Sequence, residues 1–251
     1  MQYMDRIVLD QKLETRKKVI IEGPPLEALR FQGGRAGSII TVTDAEGKDF
    51  RARVLRLSGE RASVLTFETF QSPTESPLEI ILLQALPEKE RMELIIQKAT
   101  ELGVSAIVPF KSEKSISLEE RETKQKKAHR WQKIAIKAVQ QSRRARVPKV
   151  EPYRSFIESL EFCKEDVLKI LLWEKEGEGL KDALKKYSTL HPPFGKAYLM
   201  VGPEGGFTEE EVRLAEKKGF IPVKLGQRIL RTETATITLI GILQYELGDL
   251  G

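Results

Sequence analysis

Cysteine is almost missing from this sequence: of 251 residues only Cys163 is one, which excludes an internal disulfide. Histidine is nearly as scarce. His129 and His191 have no metal-ligand spacing to each other or to Cys163, so no protein metal site is expected. No stretch approaches the roughly 20 consecutive apolar residues that a membrane helix needs. Met1 to Asp10 carries charge early and lacks both a long apolar core and a small-residue cleavage site, so a secretory signal is not expected. The expectation is a cytoplasmic protein without a membrane partner. Aromatics are few at 7%, yet apolar residues reach 40%, which suits a globular protein with a core. The length allows one large domain or two ordinary ones.

Acidic residues are absent from one long segment, Lys124 to Lys149, which reads KQKKAHRWQKIAIKAVQQSRRARVPK. With a formal charge of +5 for the whole chain, this run points to a polyanionic partner. Its plainer meaning is the solvated face of an amphipathic helix. Against that stands the lack of acidic neighbours in the run. Trp131 admits two readings, stacking on a base or packing in a core, and its shared helical face with Ile134 and Ala138 favours the core.

Two domains are expected, residues 1–71 and 72–251. In the first, Lys18 to Glu22, Ser38 to Thr43, Phe50 to Leu57 and Ala62 to Phe67 are short β-branched runs separated by turn clusters. A meander of that kind has to close or pack on itself to hide its apolar face, which predicts a small barrel. Gln71 to Pro77, QSPTESP, reads as a linker. Beyond it strands and helices alternate, the pattern of an α/β fold with a largely parallel sheet. Ile80 to Ala85, Val104 to Phe110, Val167 to Trp173, Ala197 to Val201 and Pro222 to Leu225 are the expected strands. Met92, Ile95, Ile96, Ala99 and Leu102 repeat at helical spacing, and Gly103 ends that helix. Thr208 and Glu211 form a capping box for a helix stopped by Gly219. Glu233 to Leu247 is a helix apolar nearly all round, destined for a core or a subunit interface.

Two glycine-bearing loops lead from strands into helices. Gly202-Pro203-Glu204-Gly205-Gly206 lacks the G-x-G-x-x-G spacing, and it has no Gly-Lys-Ser/Thr; Glu204 would repel a pyrophosphate. It is either a tight turn or one wall of a ligand site at the carboxyl ends of the strands. Leu225 to Ala235, LGQRILRTETA, is the second. Together they suit a ligand with an apolar body and many hydrogen-bonding edges, such as an adenosine. Arg228 and Arg231 are either site residues or solvated loop charges.

VGPEGGFTEEEV and LGQRILRTETA resemble the paired cofactor motifs of the ribosomal RNA small-subunit methyltransferase E family, of the SPOUT superfamily. The likeness extends to RMELIIQKATELGV (Arg91 to Val104), RWQKIAIKAVQQSRRARVP (Arg130 to Pro148) and LLWE (Leu171 to Glu174). The resemblance implies a carboxyl-terminal SPOUT domain with a deep trefoil knot, a PUA-like β-barrel before it, a homodimer, and methylation of uridine at ring nitrogen 3 in 16S ribosomal RNA of the small ribosomal subunit. It implies S-adenosylmethionine held by Leu172 to Glu174, Leu199 to Gly206 and Leu225 to Ala235. Within these, Leu172, Trp173, Met200, Val201, Gly202, Glu204, Gly205, Leu225, Gly226, Ile229, Leu230, Thr234 and Ala235 are the implied contacts. The chain departs from the family pattern in three places. Pro25 to Arg30 replaces a His-Leu and Val-Leu-Arg signature, Lys137 stands where an acidic residue is common, and Arg143 stands where glycine is common.

Methyl transfer from a sulfonium asks mainly for alignment. The acceptor uridine must lose its ring proton, and a guanidinium stabilises the charge that then spreads over the flanking carbonyls. Arg231, Arg228 and Arg144 are the candidates, in that order. Glu233 either accepts the proton or supports a helix amino terminus. Arg130, Lys133, Lys137, Gln141, Arg143, Arg144 and Arg146 are the candidate RNA contacts. Two rival functions stay open: a SPOUT enzyme acting on transfer RNA, and a non-catalytic ribosome assembly factor.

Overall fold

The computed structural model describes residues 6–87, 89–115, 128–164, 167–190 and 195–251. His191 and the start of the basic run, including Lys124, Lys126 and Lys127, lie outside the described residues, as do the first five residues. The chain forms two compact units, Met1–Ser76 with Ala135–Pro148, and Pro77–Ile134 with Lys149–Gly251. The single cut expected after residue 71 is therefore not the observed division. Periodicity marks which residues are buried, not in which core, and Ala145 and Val147, both buried, belong to the first unit.

That unit contains β1 (Lys18–Ile21), α1 (Gly23–Phe31), β2 (Ile39–Thr43), β3 (Asp49–Leu57) and β4 (Ala62–Thr69). The four expected strands are all present, in an antiparallel sheet of order β1-β4-β3-β2. Among the described residues the barrel is not closed by pairing of β1 with β2, although Val8 bridges Thr43 alongside β2. Pro25 to Arg30 lies in α1, where proline in the first turn is tolerated because that turn's N–H groups have no partner in the helix. Arg30 donates to the carbonyl of Ser58 at 2.9 Å, tying α1 to the β3–β4 turn. Asp49 is fully buried. Burial alone would raise its pKa, but hydrogen bonds from Thr43, Thr74 and Arg6 outweigh it and hold the carboxyl below its usual value.

The second unit carries β5 (Glu79–Ala85), α2 (Lys89–Glu101), β6 (Ala106–Lys111), α3 (Ala128–Ser142), β7 (Lys149–Val150), β8 (Arg154–Ser155), α4 (Phe156–Phe162), β9 (Leu168–Leu172), β10 (Glu178–Gly179), α5 (Leu180–Leu190), β11 (Lys196–Val201), α6 (Glu209–Glu216), β12 (Ile221–Lys224) and α7 (Thr232–Leu247). The chain passes from this unit to the first within α3, at Ile134. The sheet runs β10-β12-β9-β11-β5-β6-β7, with β8 also on β6, and every pairing is parallel. Near-continuous apolar strands such as Leu168–Leu172 suit a sheet covered on both faces.

On α2, Met92, Ile95, Ile96 and Ala99 are fully buried, and α7 packs against this helix. Gly103, with φ of 89°, supplies the left-handed turn that ends it. The capping box of Thr208 and Glu211 is formed. Helix α7 buries Leu239, Ile240 and Leu243, while Tyr245 stays 64% exposed. Cys163 fills the core, and burial pushes its thiol up to about 12. Among the described residues no helix is long and apolar enough to cross a membrane, and no group of three or more His, Cys, Asp or Glu side chains that could hold a metal occurs.

Candidate cofactor cleft

The second unit contains a cleft of about 440 Å³ at the carboxyl ends of β9, β11 and β12, within the usual range for small-molecule sites. Three segments line it: Leu172 to Glu174, Val201 to Gly206 and Val223 to Thr232, with Arg91 from α2 and Ala235 from α7. Each segment leaves a buried strand, so the walls inherit the rigidity of the sheet. Leu172, Val201, Val223 and Leu225 give apolar surface, and the glycines present backbone edges.

A buried polar knot fixes the two glycine loops to one another. The Thr232 hydroxyl donates to the Gly202 carbonyl at 2.7 Å. Gln84, at the end of β5, donates from Nε2 to Thr232 Oγ1 at 3.2 Å, and its Oε1 accepts from Thr236 Oγ1 at 2.8 Å. Gln84, Thr232 and Thr236 are all buried, where a satisfied polar network specifies geometry and an unsatisfied one is costly. The first loop is further held from the side: Lys114 donates to the Gly205 carbonyl at 3.0 Å. Gly206 has φ of +67°, and a Cβ there would lie 2.6 Å from the Glu174 carboxylate. Only glycine meets both conditions without strain.

Charge around the cleft is mixed. Arg91 pairs with Glu204 at 2.9 Å and lies 3.9 Å from the Glu233 carboxylate. Glu233 Oε2 and Trp173 Nε1 are buried and have no hydrogen-bond partner. Trp173 lines the cleft and also packs against the core. Arg231 is the N-cap residue of α7, and its carbonyl accepts from Ala235 N at 2.8 Å.

The structure brings Leu172, Trp173, Val201, Gly202, Glu204, Gly205, Leu225, Gly226, Arg228, Ile229, Leu230, Arg231 and Ala235 to this one cleft. Met200 is not among its lining; it is buried in a core cluster with Phe110 and Phe207. Thr234 is exposed and also off the lining. Arg144 belongs to the other unit; it is 5% exposed and paired with Glu75 at 2.6 Å. Glu174, Gly206 and Thr232 fall within the three implied segments without being among the implied contacts, and Arg91 and Gln84 lie outside them. Of these, only Gln84 carried a local signal, a polar residue at the end of an apolar strand.

Of the basic run, Lys133, Lys137, Gln141 and Arg143 are exposed and Arg146 is partly so. Arg130 pairs with Glu93 at 3.1 Å, so acidic partners come from elsewhere in the chain even though the run has none. Trp131 is 7% exposed and packs in the core.

Residues 74–244 match the family model described as an RNA methyltransferase domain. The chain is 34% identical to ribosomal RNA small subunit methyltransferase E of Bacillus subtilis, covering 84% of this chain and 82% of that protein. To the protein of the same name from Synechocystis it is 36% identical, over 85% of this chain and 67% of that one. A crystal structure of the Neisseria gonorrhoeae ribosomal RNA small subunit methyltransferase E bound to S-adenosyl methionine is 35% identical, with a TM-score of 0.71, covering 99% of this chain and 100% of that chain. On the extent of the family match and on this identity over most of both lengths, the chain belongs to the ribosomal RNA small subunit methyltransferase E family.

Proposed function

We propose that the protein methylates N3 of a uridine in 16S ribosomal RNA, in the cytoplasm, using S-adenosylmethionine held in the cleft between the two glycine loops. The observation that carries this reading is the cleft itself, whose loops are locked by the Thr232–Gly202 hydrogen bond, together with a relative crystallised with that cofactor.

The residues present fit the cofactor. Apolar walls and glycine backbone suit an adenosine, and Glu174 and Glu204 suit a cationic ligand better than a phosphate. When bound, S-adenosylmethionine supplies an electrophilic methyl group on a sulfonium. The protein's part is to hold the acceptor ring and remove its N3 proton. Arg231 and Arg228, both exposed at the cleft, stabilise the negative charge left on the uracil carbonyls. Glu233 is the proposed acceptor of the proton: it is not among the cleft's lining residues, but its buried Oε2 lies 3.9 Å from Arg91, which is.

The fold reading extends to a trefoil knot of the SPOUT type. In its support, β12 lies on the far side of β9 from β11. The chain after β12 must return across the end of β9 before Thr232 meets Gly202 and Gln84. The first unit is read as a PUA-like RNA-binding domain. A second copy of the chain is the proposed cover for the exposed side of α7, whose composition is apolar on nearly all faces.

Gly206→Ala is expected to weaken S-adenosylmethionine binding about tenfold in calorimetry, since a left-handed alanine costs on the order of 1 kcal/mol and its methyl displaces Glu174. Gly205→Ala should do less, because the backbone there is not left-handed. Equal affinities for both variants and the parent would remove this loop from the site. RNA binding is expected to fall steeply with salt. Neutralising Lys133 and Lys137, one turn apart on α3, should reduce the slope of log affinity against log salt by about 1.4 to 1.8, from roughly 0.7 to 0.9 per contact. An unchanged slope would make the pair a merely solvated face.

A further inference from the structure

The first unit contains a guanidinium that its own fold leaves uncompensated. Arg51 lies on β3 at a register shift against β4, between Arg51 and Ala52, and only 8% of it is exposed. Among the described residues no carboxylate stands within ion-pair distance of it. Glu68, its register partner on β4, is exposed and attracts it only from farther off. The treatment of Arg144 is the contrast. That residue is equally buried, and Glu75 meets it at 2.6 Å.

What Arg51 meets instead is a hydroxyl that leads to the backbone of another cationic residue. Arg51 Nη1 donates to Thr41 Oγ1 at 3.3 Å, and the Thr41 hydroxyl donates to the carbonyl of Arg143 at 3.1 Å. Burial and the Arg143 charge both lower the pKa of Arg51. Arg143 is itself in a left-handed conformation, with φ of +64°, which disfavours any residue with a Cβ. Its turn is nevertheless fixed: Glu75 accepts from the N–H groups of Ala145 at 2.9 Å and Arg146 at 2.8 Å. Three unfavourable features thus coincide: a desolvated charge, a like-charge neighbour and a strained backbone. An anion would compensate the first two, and backbone strain of this kind clusters at ligand sites.

We propose that Arg51 and Arg143, linked through Thr41, form a phosphate-binding site that takes one backbone phosphate of the RNA. This rests on the reading of the protein as an RNA methyltransferase. A guanidinium fork matches the oxygens of a phosphodiester, and Thr41 ties the Arg51 fork to the backbone that carries the exposed Arg143 side chain; a phosphate contact sets the register of the RNA without reading its sequence. Arg51 is the buried wall of the site, and Arg143 is the exposed arm that reaches the ligand.

Arg143→Gly is the informative variant, because glycine accepts the left-handed backbone and the protein should fold as well as the parent. Arg51→Met and the double variant complete a cycle. Affinity for small ribosomal subunits lacking the methyl group is measured against salt, and melting temperature is measured with inorganic phosphate against chloride at equal ionic strength. Each single variant is expected to bind RNA about tenfold more weakly, with a salt slope smaller by about one. The double variant should be little worse than either single one, and phosphate should stabilise the parent but not Arg143→Gly. Unchanged RNA affinity and slope in Arg143→Gly, or fully additive losses in the double variant, would overturn the site. Methyl transfer by the parent to the same subunits is followed in parallel. Its absence would count against the proposed activity, while the RNA and phosphate measurements still decide the site.

Discussion

Arg231→Ala is expected to lower single-turnover methyl transfer roughly 100-fold, the loss typical of removing one donor to a developing oxyanion. Cofactor and RNA affinities should change far less. The reason is when the interaction is made: the uracil carbonyls gain charge only as N3 loses its proton, so the guanidinium contributes in the transition state and little before it. Arg231 is suited to this by position. It is the exposed N-cap residue of α7, with its backbone anchored by the Ala235 N–H and its side chain on the cleft. Lysine should rescue partly, keeping the charge without the planar fork. Higher pH should narrow the gap between variant and parent, since hydroxide then assists the deprotonation. A defect confined to binding would show that Arg231 only positions a ligand.

The second large effect is expected at Thr232, outside the reacting atoms. Thr232→Val keeps the shape of the side chain and removes its hydroxyl. The Gly202 carbonyl then loses its 2.7 Å donor, and Gln84 loses one acceptor at 3.2 Å. Leaving buried polar groups unsatisfied costs about 1–3 kcal/mol, to be read from denaturant unfolding. Because the same hydroxyl locks the two glycine loops together, S-adenosylmethionine affinity should fall about tenfold as well, equivalent to about 1.4 kcal/mol. Thr232→Ser keeps the donor and should stay near the parent on both measures. A valine variant as stable and as tight-binding as the parent would mean that the loops are held by the strands alone.

Both glycine loops were legible in the sequence because their signals are local: an apolar strand, then glycine, then a helix within a dozen residues, with a capping box at the first loop. The capping box at Thr208 and the turn at Gly103 were legible for the same reason. The lock between the loops was not. Thr232 meets Gly202 and Gln84 across separations of 30 and 148 residues, and no periodicity announces such a meeting. Strand order was equally hidden, since the β12-β9-β11 arrangement pairs strands that are not consecutive in the chain. The division of α3 between two units escaped because burial periodicity is indifferent to which core a residue enters. The basic run misled in a different way. Its lack of internal acidic residues suggested an unpaired patch, yet Glu93 and Glu75 reach Arg130 and Arg144 from distant elements. Local physics allowed the two loops to share one ligand; the family resemblance implied that the ligand is S-adenosylmethionine.

The central claim is a methyl group placed on N3 of uridine in small-subunit ribosomal RNA. The most direct measurement is mass spectrometry of nucleosides from 16S ribosomal RNA of cells lacking the gene, before and after incubation of their small subunits with the purified protein and S-adenosylmethionine. N3-methyluridine should be missing before incubation and present after it, and absent again when Arg231→Ala replaces the parent for the same short time. Unaltered N3-methyluridine in the deleted cells, or a different methylated nucleoside after incubation, would contradict it.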